Sequence, residues 1–155
     1  MKNLPYVSIL LLGILLGGCA SVNTSTVDPT VYIQPADTVQ QFRLSMMFGS
    51  RETTGILSLK YHDGWQGNVM NEFGINIFDF TIRGNKCRLS RVLPYINKWY
   101  IRQNIAKDFS YLLLPSLRPS LKGRLLEQKR DTIRLSNQRF HVVYSLNRMK
   151  NEVTE

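Results

Sequence analysis

The chain has 155 residues, a formal net charge of +9 and two cysteines. That length allows one domain with one core, and the cysteine count excludes a disulfide framework. The basic balance ordinarily points to nucleic acid, a partner that the N-terminus argues against.

Met1-Lys2-Asn3 carries one positive charge, and Leu4–Leu16 is apolar apart from Ser8. The run is shorter than the ~20 residues that a membrane span needs. With the small residues that follow, it reads as a secretory signal peptide over 1–18. Leu16-Gly17-Gly18-Cys19 matches the bacterial lipobox, whose cysteine becomes the acylated first residue of the mature protein. Cys19 is therefore the expected lipidation site, and several acyl chains make such an anchor effectively permanent. Residues 19–39, with Ser21, Asn23, Thr24, Asp28, Pro29 and Pro35, read as a flexible tether that cannot build a core. In an exported chain anionic lipid headgroups or an acidic protein fit the basic balance better than nucleic acid, and by itself a solvated basic surface explains it with no partner at all.

The body of the chain, expected over 40–146, has mostly period-two patterning. Phe42, Leu44, Met46 and Phe48 alternate with Arg43, Ser45 and Met47, and Leu57, Leu59 and Tyr61 with Ser58 and Lys60. Asp63-Gly64 marks a hairpin turn. Trp65–Met70 is a strand, Asn71-Glu72-Phe73-Gly74 a turn, Ile75–Ile82 a strand, and Arg83-Gly84-Asn85 a turn into Lys86–Val92. Cys87, alternating with Leu89, reads as a small buried hydrophobe. Ile75–Ile82 is apolar on both faces for half its length, which predicts cover on both sides.

Pro94 ends the strands, with Asn97 as the expected helix cap. Ile101, Ile105, Phe109 and Leu112 then form a helical stripe, Asp108 lies off it, and Pro115 ends it. Leu121–Leu126 and Asp131–Leu135 are expected strands and Ser136-Asn137 a turn. Phe140, Val142, Tyr144 and Leu146 alternate as the last strand, before a frayed tail over 147–155. The fold class is α+β, mainly β: a curved antiparallel sheet of seven or eight strands with one helix on its concave side.

No catalytic constellation is present. His62 and His141 have no ligand-like spacing, no nucleophile or phosphate-loop motif occurs, and Glu72, Asp79 and Asp108 fall in different elements. The chain reads as a non-enzyme without cofactor or metal. Phe42, Leu44, Phe78, Phe80, Trp99, Ile101, Ile105 and Phe109 either line an apolar hollow under the helix or form a solid core. Periodicity alone favours the core.

Gly67–Phe80, GNVMNEFGINIFDF, is similar to the strand–loop–strand of LolB, the outer-membrane lipoprotein that accepts lipoproteins from a periplasmic carrier. Ile101–Gly123 resembles that family's helix and Pro-Leu connection. The resemblance implies an incomplete β-barrel with a helical lid, a hollow for acyl chains and a LolA-like carrier as partner. It also implies a monomer facing the periplasm from the outer membrane, and a membrane-inserting loop at Asn71, Glu72, Phe73 and Gly74 with Phe73 at its tip. Glu72 stands where the family tends to carry Pro. An aromatic tip in lipid fits the physics independently, since exposed apolar tips are rare unless they bind something; the rival is that Phe73 folds back as core. The alternative function is a solid-cored scaffold lipoprotein acting through basic residues such as Arg124 and Arg134.

Overall fold

The computed structural model describes residues 33–149 apart from 115, 118–121 and 130. The signal peptide, Cys19, most of the expected tether, Pro115, Leu121 and residues 150–155 lie outside the described residues. Among the described residues are eight strands: β1 (Gln40–Phe48), β2 (Arg51–Tyr61), β3 (Trp65–Asn71), β4 (Asn76–Arg83), β5 (Lys86–Ser90), β6 (Arg124–Lys129), β7 (Thr132–Asn137) and β8 (Val142–Arg148). A 3-10 turn (Pro94–Ile96) and helix α1 (Trp99–Leu113) separate β5 from β6. All pairings are antiparallel, in the order β5-β4-β3-β2-β1-β8-β7-β6. The sheet is open, with β5 and β6 as its edges.

The period-two pattern builds the inner face. Phe42, Leu57, Val69 and Phe78 stand side by side across four strands, and all are buried. The neighbouring row is Leu59, Gly67, Phe80 and Leu89. Gly67 is needed there, because an added Cβ would sit 2.4 Å from Phe80 Cζ and 2.9 Å from Leu59 Cδ2. The Phe80 ring takes the space that the missing side chain leaves.

The sheet curves around α1, and Phe109 measures the curvature. Its ring lies 4.9 Å from Phe80 and 5.4 Å from Phe78 on β4, and 5.8 Å from Tyr144 on β8. Strands β4 and β8 are four places apart in the sheet, about 19 Å if it were flat. A single ring touching both requires the sheet to bend toward the helix. Ile105, Phe109 and Leu112 are buried along the expected stripe.

Several expectations need correction. The two-sided burial of β4 does not come from cover on both faces. The β3–β4 register shifts after Val69, which pairs with Phe78, whereas Met70 pairs with Asn76. Ile77 is the extra residue of a β-bulge, which breaks the alternation, so that consecutive Ile77 and Phe78 are both buried while Ile75 is exposed. Asn97 does not cap α1; the N-cap position is Lys98, with no side-chain bond, and Asn97 Oδ1 accepts from Arg102 instead. Ser136 and Asn137 belong to β7, and the turn lies beyond them with Phe140 exposed in it. Residues 33–39 are not free tether. Ile33 is buried in the core, Ala36 C=O accepts from Tyr61 N–H at 2.9 Å, and Gln34 C=O accepts from the Gln40 side chain.

Candidate functional site

The β3–β4 hairpin is held from within. Asn71 Oδ1 accepts the N–H groups of Phe73 (3.0 Å) and Ile75 (2.9 Å), and Asn71 C=O accepts from Gly74 N–H. An asparagine side chain that bonds its own turn in this way replaces part of the ladder that the chain reversal interrupts. Gly74 has φ +77°, a conformation that glycine adopts without a Cβ penalty. Glu72 turns back, its carboxylate accepting from the Thr54 hydroxyl on β2 at 3.0 Å. Phe73 is left 80% exposed, with Ile75 beside it also exposed. The rival reading of Phe73 as core does not hold.

The residues expected to line a hollow divide into two groups. Phe42, Leu44, Phe78, Phe80, Ile105 and Phe109 meet on the inner face and are all buried. Ile101 is half-buried at the margin of the core. Trp99 does not join them; it is 72% exposed at the start of α1, its ring against Tyr100. Periodicity predicted the buried stripe correctly from Ile105 onward, whereas Trp99 only borders the depression that Leu89 and Arg102 line.

Sequence reasoning placed Asp108 off the packed face, whereas it is completely buried. Arg124 Nε, from β6, donates to Asp108 Oδ1 at 2.6 Å. The Asn137 amide donates to both carboxylate oxygens at 3.0 and 3.1 Å. Tyr144 completes the cluster; burial pushes its phenol well above the usual value, and the neighbouring Asp108 charge and hydrogen bond add to that. Four polar groups from α1, β6, β7 and β8 thus satisfy one another in the interior. The signal in the sequence was Asp108 itself, four residues before Leu112 on a helix whose stripe broadens toward its C-terminal end.

A groove of about 490 Å³ runs between β5 and α1, lined by Lys86, Cys87, Arg88, Ala106 and Lys107 among others. It shares Cys87, Arg88, Gln103 and Ala106 with a neighbouring depression of about 370 Å³ that reaches Leu89, Trp99 and Arg102. Cys87 is half-buried rather than buried as expected; burial still pushes its thiol up to about 12, which leaves it protonated and inert as a nucleophile. Among the described residues no group of His, Cys, Asp and Glu could hold a metal ion, and no helix is long and apolar enough to cross a membrane. Compared with known proteins, the chain matches no family model and no curated protein.

Proposed function

We propose that the chain is a lipid-anchored protein of the outer membrane, facing the periplasm, that binds acyl chains and helps to receive and insert lipoproteins in the manner of LolB. The observation that carries the reading is the exposed Phe73 ring on a turn fixed by Asn71. A side chain held outward by a rigid hairpin loses little conformational freedom when it enters lipid, and its transfer from water contributes about 1.5–3 kcal/mol. Glu72, bonded to Thr54, is directed back along the sheet, which removes the conflict between a carboxylate and an inserting tip.

Cys19 supplies the anchor. The inner-face residues around Phe109 are the acyl-binding surface, and cargo takes the space of the α1 side chains as the helix lifts. A LolA-like carrier is the donor. The second reading, a solid-cored scaffold acting through its basic surface, is favoured by the ring contacts of Phe109 with both β4 and β8, which fill the interior while the helix is seated.

The test is flotation with phosphatidylethanolamine–phosphatidylglycerol vesicles, using a Cys19→Ala chain without residues 1–18, so that no acyl anchor contributes. Phe73→Glu is expected to remain folded and to stay at the bottom of the gradient while the parent floats. Equal flotation of both would end the insertion reading. Native mass spectra of the parent after incubation with lipid decide between hollow and scaffold: bound acyl adducts support the first, a bare mass the second.

A further inference from the structure

Strand β5 has five residues and borders the sheet. It follows β4 through a two-residue turn, with Arg83 paired to Lys86. The pair that closes such a turn exchanges both of its hydrogen bonds, and the pattern then alternates. Lys86, Arg88 and Ser90 therefore direct their backbone groups to β4, and Cys87 and Leu89 direct theirs away from it. One bond fixes this assignment: Leu89 C=O accepts from Arg102 Nη2 of α1 at 2.9 Å. Among the described residues no hydrogen bond occupies the outward N–H and C=O of Cys87.

The side chains beside that free edge alternate in chemistry. Lys86 and Arg88 are exposed, while Cys87 and Leu89 turn toward the helix. On the far side of the groove Ala106 gives a small apolar wall, and Lys107 and Arg102 add charge. Among the described residues no carboxylate lines either depression. An open strand edge with cations on one face and apolar side chains on the other is a template for one kind of occupant.

We infer that the β5–α1 groove binds an extended segment of a partner protein as a ninth strand. That segment alternates acidic residues, opposite Lys86 and Arg88, with small apolar residues facing Cys87 and Ala106. Main-chain bonds to Cys87 supply the register, and the cations select the sequence. The site lies apart from the Phe73 turn, so the inference stands independently of membrane insertion.

The experiment is fluorescence anisotropy with the full chain in a nonionic detergent. The probe is a blocked, fluorescein-labelled peptide of alternating valine and glutamate, about nine residues long, enough to span a strand of ordinary length. Saturable binding is expected, weakened at least about tenfold, or ~1.4 kcal/mol, by Arg88→Glu with Lys107→Glu. The same peptide N-methylated on alternate amides, with its charge intact, should also lose about tenfold or more. Phe73→Glu should bind the probe like the parent, which separates this result from the membrane reading. Equal binding of the N-methylated peptide would reduce the groove to a charged surface and overturn the inference. So would no peptide binding, or binding of phosphatidylglycerol vesicles in its place that Arg88→Glu abolishes.

Discussion

Asp108 is the residue on which the interior polar cluster depends. Removing the carboxylate leaves the Arg124 guanidinium, whose side chain is 7% exposed, buried without a counter-charge. Breaking a buried pair from one side costs about 3–5 kcal/mol, so Asp108→Ala should lower the urea midpoint sharply, and Arg124→Met in the same chain should recover part of the loss. A midpoint unchanged in Asp108→Ala would mean that the cluster contributes nothing to stability. Two acids in separate parts of the fold set the alkaline limit. The Cys87 thiol and the Tyr144 phenol both have folded values raised above their ordinary ones of 9.0 and 10.0. A raised acid stays neutral in the fold but ionises in the unfolded chain. Their contribution is therefore complete below about pH 9 and is lost as pH rises above it, at up to ~1.4 kcal/mol per pH unit for each group. Urea midpoints followed from pH 8 to 11 should be level and then fall, and Cys87→Ala with Tyr144→Phe should flatten the fall; a parent curve that stays level would refute the linkage. At this scale the sequence was readable where a residue declares its face. Cys87 between Lys86 and Arg88 was placed on the correct face, but Asp108 was not, because period reports direction and its partners Asn137 and Tyr144 are about 30 residues or more away in the chain.

Elements were more legible than their ends. Turn residues with a local mechanism, Asp63-Gly64, Asn71 with Gly74 and Gly84-Asn85, located the three hairpins from β2 to β5 to within a residue or two, because turn chemistry is decided by near neighbours. The bulge at Ile77 was not legible; the sequence announced it only as a strand apolar on both faces, and the cause is a shift of register against β3. The second half was read less well. Phe140 continues the alternation of Val142, Tyr144 and Leu146 yet sits in a turn, since β8 begins only where β1 offers it a partner, Phe48 opposite Val142. That pairing joins strands about 100 residues apart, and nothing local specifies it. Through the Phe109 ring helix α1 meets both β4 and β8. Phe109→Ala would remove contacts to Phe78, Phe80 and Tyr144 together, and large-to-small changes at such sites cost about 3–5 kcal/mol. Thermal unfolding should show a Tm lowered by well over ten degrees by the usual scaling for a domain of this size; a small shift would mean that the sheet holds its curvature without the helix.

In the whole molecule the two ends of the sheet differ. Ile33 and the residues after it are bonded beside Tyr61 and Gln40, at the end where β1 starts. The Phe73 turn stands at the opposite end, level with the Thr54 side of β2. Strand β1 has nine residues, about 30 Å of extended chain. The residues between Cys19 and Ile33 reach about 45 Å when fully stretched. Under the proposed function, that length lets the acyl anchor and the Phe73 ring share one bilayer with the strands lying along it.

The same placement has a mechanical consequence. A pull between Gln40 and the Phe73 turn runs parallel to the strands. Strand β1 is bonded on both sides, to β2 and β8, so tension loads its hydrogen bonds in shear, many at once, rather than peeling them off one after another. Under the proposed function, tether and membrane grip would load the domain along this shear direction.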